Sequence, residues 1–261
     1  DQDIASGDIE TGSIVTAVYD GTNFQVTSQL ATEGGTPGGS DTQVQYNSSS
    51  AFAGSANFTF DGTSATVANP LYLPDGSASA PALSNTGDLN TGVYFPGADQ
   101  LGLTTAGVAA MLISASGEIT KPLQPTFQAI PASLQSNISV NAYTTIAFGT
   151  ERFDVGANFA TPNFTAPVTG KYWLGVDLYL ANIDSDANYY NLLLETSNKQ
   201  YGITWSVLAL DQDANYWQMA LSTVADMDAS DTAYVRMYQS GGTSQTDINT
   251  ANSHFAGYLL G

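Results

Sequence analysis

From Tyr172 to Leu180 apolar residues fall on every second position. Tyr172, Leu174, Val176, Leu178 and Leu180 share one face, and Trp173, Gly175, Asp177 and Tyr179 share the other. A two-residue period marks a strand with one buried face. Residues 233–238 repeat it, with Ala233, Val235 and Met237 against Tyr234, Arg236 and Tyr238. Similar runs lie near 144–148, 159–164, 189–196, 200–208, 216–224 and 254–260. Strands at this spacing predict a sandwich or barrel. A sustained helical period with caps is missing from the sequence. The one soft helix candidate is Thr105–Ser114, with Ala106, Ala109, Ala110 and Met111 at helical spacing, and Gly102 and Gly107 weaken it. The expected class is all-β.

The surface must then be built mostly without charge. Charged residues make up 11% of the 261 positions, against roughly 25% in average soluble chains. Ser, Thr, Asn, Gln and Gly take their place, a composition of strands and turns. Five basic against 24 acidic side chains give a formal charge of −19. Such a chain repels nucleic acid and anionic membrane, which argues against both as partners. Cysteine is absent, so disulfides and thiolate chemistry are excluded. No run of about 18 apolar residues is present to span a membrane as a helix. Asp1 opens the sequence without a visible leader, as expected of a chain that is processed or cut from a longer one.

The organisation changes along the chain. Residues 1–32 read as a β-hairpin module, on the attachment side. Asp20-Gly21 separates Ser13–Tyr19 from Asn23–Val26, a strong hairpin signal. Residues 33–40 read as a Gly-rich linker; they share only glycines with a phosphate loop, since no Gly-Lys-Ser/Thr follows. Residues 41–123 hold short β-runs, and Phe60-Asp61-Gly62-Thr63 echoes Tyr19-Asp20-Gly21-Thr22. Each run carries too few large apolar groups to bury a core alone. They are expected to form a thin stalk, stable only when chains intertwine. Residues 124–261 carry the longer strands of a head.

Three pieces of the head carry a family resemblance. They are Phe153-Asp154-Val155-Gly156-Ala157-Asn158-Phe159, then Pro167-Val168-Thr169-Gly170-Lys171-Tyr172 entering a long strand, then Phe255-Ala256-Gly257-Tyr258-Leu259-Leu260 in a closing strand. In order and spacing they resemble the globular heads of the first complement component and the related tumour necrosis factor fold. That resemblance implies a ten-stranded jelly roll forming homotrimers on a stalk. Residues 18–26, 38–47 and 90–95 look like segments of bacteriophage tail-fibre proteins. On the sheet face opposite the apolar one, Trp173 and Tyr179, together with Tyr258, are candidates for the trimer interface.

Chemistry is sparse. His254 is the only histidine, which removes a catalytic triad and a histidine-rich metal site. No carboxylate pair sits in a recognisable frame, so an enzyme is not expected and a polysaccharide-cleaving spike is the least favoured reading. Acids cluster at Asp184 and Asp186, at Asp211 and Asp213, and at Asp226, Asp228 and Asp231. Asp184-x-Asp186-x-Asn188 resembles the start of a calcium loop without its glycine and distant glutamate. Calcium at Asp184 and Asp186 stays a candidate beside the plainer view that Asp and Asn are turn residues; no other cofactor is expected.

Strand alternation brings residues 182–188, 209–215 and 240–252 to one end of the head. Asp184, Asp186, Asn188, Asp211, Asp213, Tyr216, Trp217 and Asp247 are therefore receptor-binding candidates, suited to carbohydrate. The expected role is a virion fibre or spike, on tail or head of the particle, with residues 1–32 on other virion proteins and the trimeric head on a host glycan or protein. A purely structural capsid or tail cap and a bacterial surface filament are the alternatives.

Overall fold

The protein is described from a computed structural model, which covers residues 14–26, 37–49 and 51–260. Residues 1–13 of the expected first module, its end at 27–32, and 33–36 of the expected linker lie outside the described residues. No described residue is helical. The chain divides into two compact units, Asp1–Pro74 and Asp75–Gly261.

The first unit holds β1 (Ala17–Tyr19), β2 (Phe24–Val26), β3 (Gln43–Ser48), β4 (Ala51–Phe60) and β5 (Ala65–Val67). β1 and β2 form one hairpin, and β3-β4-β5 form a three-stranded antiparallel sheet. The sequence echo is one turn used twice. Asp20 Oδ1 accepts the backbone N–H groups of Thr22 and Asn23, both at 2.8 Å. Asp61 Oδ1 accepts those of Thr63 and Ser64 at 2.9 and 2.7 Å. The following Gly21 and Gly62 have φ of +100° and +91°, which glycine adopts without steric cost. Pro37–Ser40, read from sequence as the end of a linker, are tied to β3: the Gln45 side-chain amide exchanges hydrogen bonds with the Gly38 backbone N–H and C=O at 2.8 and 2.6 Å.

The second unit begins with a five-stranded antiparallel sheet in chain order, β6 (Leu83–Asn85), β7 (Asp88–Tyr94), β8 (Leu101–Thr105), β9 (Val108–Ile113) and β10 (Ile119–Thr120). The helix candidate Thr105–Ser114 is a hairpin instead. Thr105 pairs with Val108, and the intervening Ala106 and Gly107 have φ of +50° and +77°. Two consecutive positive φ values are those of a type I′ turn, whose twist suits a hairpin. The spacing of Ala106, Ala109 and Ala110 has no bearing on that choice.

The head follows as β11 (Thr126–Ile130), β12 (Tyr143–Thr145), β13 (Thr150–Val155), β14 (Phe159–Ala160), β15 (Asn163–Thr165), β16 (Gly170–Ile183), β17 (Ala187–Thr196), β18 (Gln200–Ser206), β19 (Ala214–Met227), β20 (Thr232–Gly241), β21 (Asp247–Ile248) and β22 (His254–Leu259). One sheet runs β13-β11-β22-β16-β19 with β21 on β16. The other runs β14-β15-β20-β17-β18 with β12 on β20. The principal strands therefore divide as β11, β22, β16, β19 and β15, β20, β17, β18. The last strand, β22, returns beside β11, the first of the head, the interleaving of a jelly roll. β14 and β21 have only two residues each.

The sandwich core lies between the sheets, and it explains the three motifs. Phe127 stacks on Phe159 and Phe164 at 5.1 and 4.6 Å between ring centroids and meets Phe255 edge-on at 5.0 Å. Gly257 leaves room for this cluster beneath β22. Asp154 accepts the backbone N–H groups of Asn158 and Phe159 at 3.1 and 2.9 Å, fixing the turn that delivers Phe159. Tyr172, fully buried, donates its hydroxyl to Val168 C=O at 2.8 Å and ties strand β16 to the turn before it.

Candidate functional site

Three loops meet at one end of the sandwich. Residues 184–186 join β16 to β17, residues 207–213 join β18 to β19, and residues 242–253 join β20 to β22 around β21. The pairings of β16 with β19 and of β17 with β18 and β20 are antiparallel, and the reversal of chain direction from one long strand to the next puts the loops after β16, β18 and β20 at the same end.

The loops are held by their own polar groups. Asp184 is 3% exposed. Its Oδ1 accepts the Asp186 backbone N–H at 2.9 Å, and its Oδ2 accepts the Thr243 backbone N–H, the Thr243 hydroxyl at 3.1 Å and the Gln239 amide at 3.5 Å. The Tyr190 hydroxyl accepts the Asp184 N–H at 3.0 Å and shares a 2.6 Å bond with Thr246. Burial is the main reason the Tyr190 hydroxyl titrates above its usual range.

Asp213 Oδ1 accepts both the backbone N–H and the hydroxyl of Ser185, at 2.9 and 2.8 Å, and its Oδ2 accepts Gln245 at 2.8 Å. The Ser185 N–H is the largest of the causes that hold the Asp213 carboxyl below the usual carboxylate range. Asp247 accepts the Asn137 N–H at 2.8 Å and the Asn182 amide at 2.9 Å. Thus Asp184, Asp213 and Asp247 clamp the loops. Asp186, Asn188 and Asp211 stay exposed, and Asn188 reaches Ser240 at 3.4 Å. For the calcium pair, Asp184 points inward with its carboxylate engaged while Asp186 faces out. Among the described residues no group of three or more His, Cys, Asp or Glu side chains gathers to hold a metal.

Tyr216 and Trp217, adjacent in sequence, part company on β19. Tyr216 stacks on Tyr179 at 5.3 Å on the outer face of the first sheet. Trp217 lies against Trp205 at 4.2 Å with an interplanar angle of 3°, and Trp205 stacks on Tyr190. These indoles join β18 to β19, which belong to opposite sheets.

The outer face of the first sheet also brings Trp173 and Tyr258 together, stacked at 5.4 Å, on adjacent strands where Trp173 pairs with Tyr258. Trp173, Tyr179 and Tyr258 therefore share one surface. Between them runs a shallow trough over Gly175, Ala220 and Ser222, flanked by Asp177 and His254 in ion-pair geometry at 3.4 Å. A separate open cleft of about 510 Å³, lined largely by apolar groups including Leu123, Pro125, Val168 and Leu259, lies at the opposite end of the sandwich.

No family model matches the chain. No curated protein matches it either. Among solved structures it is similar to the globular domain of zebrafish complement 1qA, at 14% identity and TM-score 0.39 over 53% of this chain and 98% of that one. Murine APRIL at pH 5.0 is 10% identical, TM-score 0.39, over 52% and 99%. Eiger TNF from S. frugiperda is 14% identical, TM-score 0.39, over 53% and 92%. These are members of the families that the three head motifs resemble. The jelly roll itself is assigned from the order of strands in the two sheets.

Proposed function

We propose that the chain is the subunit of a homotrimeric fibre or spike on the surface of a bacteriophage particle, whose jelly-roll head contacts the host cell. One observation carries the oligomeric part. No described residue from Ile14 to Val93 is buried. Phe24, Phe52, Phe60 and Tyr72 are 73, 66, 52 and 90% exposed. Full burial of each such side chain is worth about 1.5–3 kcal/mol, and a lone chain forgoes it. Other copies of the chain supply the cover. The stacked Trp173–Tyr258 and Tyr179–Tyr216 pairs offer the head a second association surface, of the aromatic kind that interfaces favour.

Three copies, a virion setting and anchoring of the N-terminal region by other particle proteins are taken from the resemblance to complement-type heads and tail-fibre hairpins. The head works by avidity: several weak contacts on one rigid assembly add into stable attachment. Sedimentation equilibrium of the full chain should give a trimer mass, and the labelled trimer should bind host cells. A monomer at micromolar concentration, or a trimer that ignores every host surface, would sink the respective half.

A purely structural cap is the second reading. It is favoured by the tip itself, where Asp184, Asp213 and Asp247 spend their hydrogen bonds on the loops rather than on solvent.

A further inference from the structure

We infer that the sheet β6–β10 buries its open face against the same face of other copies, which makes the segment before the head an assembly surface in its own right. This deepens the trimer reading above and rests on it.

Strand register carries the argument. Each of these strands brings few large apolar groups, and pairing lines them up. Leu83 pairs with Val93, Val93 with Leu103, and Leu103 with Met111. Directly paired residues point to the same side of a sheet, so these four make one row across β6, β7, β8 and β9. Two residues further along, Leu101 pairs with Ile113 and Ile113 with Ile119. A step of two keeps this second row on the same side. Neither row is buried by the described residues. Leu83, Leu103 and Ile119 are 57, 40 and 60% exposed, and the other four are half-buried.

The opposite side already has its cover. It carries Gly92, Tyr94, Gly102 and Thr104. The Tyr94 ring lies over Gly102, where a Cβ would stand 2.3 Å from Tyr94 Cε1. The Thr104 hydroxyl donates to Ala78 C=O at 2.8 Å, and the Phe95 N–H donates to Asp75 C=O at 2.8 Å. Tyr94 and Thr104 are buried as a result. For a lone chain the sheet is therefore inside out: the smaller, more polar side is sealed and the aliphatic side is open. A sheet must bury its apolar face against another layer, and a single chain supplies none.

Charge selects the occupant. Neither row contains Asp, Glu, Lys or Arg, in a chain of formal charge −19. The nearest acids, Asp88, Asp99 and Glu118, stand at strand ends and turns. Copies of so acidic a chain repel one another across most of their surface and approach closely only where charge is absent. The sheet also belongs to the same compact unit as the head. Copies that meet through Trp173 and Tyr258 therefore bring their β6–β10 sheets with them. Rows at two-residue spacing interdigitate when sheets pack face to face about 10 Å apart.

The test uses the full-length protein, which has no cysteine, so Leu103→Cys adds a single thiol. A bis-maleimide spanning about 10 Å should link Leu103→Cys between copies. Thr120→Cys, on the sealed side where Thr120 pairs with Leu112, should stay unlinked. Leu103→Asp should weaken association at least ten-fold by sedimentation equilibrium, and Leu103→Thr less. Crosslinking decides the matter should Leu103→Asp unfold. A trimer without the Leu103 crosslink, or a folded Leu103→Asp that assembles as the parent does, would overturn this surface and leave the trimer intact. A Leu103→Cys thiol that a monofunctional maleimide labels freely within the trimer would overturn it too, and would reserve the face for a different protein. A monomeric parent would overturn both this surface and the trimer reading beneath it.

Discussion

A single carbon added at Gly257 would stand 2.6 Å from Leu174 Cδ2 and 2.8 Å from Phe127 Cε1. Both neighbours are buried core, so neither can swing away. Gly257→Ala should destabilise the head by about 2–3 kcal/mol, read as a lower urea midpoint at unchanged slope. Asp184→Ala leaves the Thr243 and Asp186 N–H donors without their carboxylate, and should cost about 3 kcal/mol in the same measurement. The glycine and the tyrosine of the head motifs were legible in the sequence as a pattern, and packing supplies their reasons. The role of Asp184 was not. Asp-x-Asp-x-Asn reads identically whether the first carboxylate faces a cation or a backbone amide, and only the Gln239 and Thr243 neighbours, more than fifty residues away, decide it.

At the scale of elements, alternation was the reliable guide. It separated the inward and outward faces of β16 and β20. It was overlooked at Tyr216 and Trp217, which sequence proximity grouped in one loop rim although a strand must send them to opposite sides. Thr105–Ser114 went astray because alanine spacing was weighed against a turn that two positive φ values determine. The tip loops also have a pH signature. Asp213 has a lowered carboxyl value when folded, so the stability it lends is complete above the unfolded value of about 3.9 and is lost as pH falls through the folded one. Amide exchange at Ser185 should stay protected through neutral pH and loosen in strong acid. Asp213→Asn should remove that acid dependence; an unchanged profile would count against the clamp.

At the scale of the whole molecule, the first sheet presents Trp173, Tyr179 and Tyr258 on its outer face, the face proposed to meet copies of the same chain. Trp173→Asp with Tyr258→Asp should lower the assembly mass without lowering the stability of the sandwich, because both side chains lie outside its core. The variant should be followed by sedimentation and by thermal unfolding together. An undiminished trimer would move the interface elsewhere. The scarcity of buried side chains before Tyr94 was legible in the poverty of residues 41–123 in large apolar groups. The outer face of the first sheet was legible only as a set of outward aromatics, since one strand period cannot say what a face meets.

The three tryptophans divide these events optically. Trp205 and Trp217 lie nearly parallel at 4.2 Å, close enough for their transitions to couple, so their circular dichroism couplet reports closure of the sandwich edge. Trp173, stacked on Tyr258 at the outer face, emits from the surface proposed to meet other copies. With Trp205 and Trp217 both replaced by Phe, emission comes from Trp173 alone. Folding of the subunit and its association then become two separable signals in a protein that carries its own reporters.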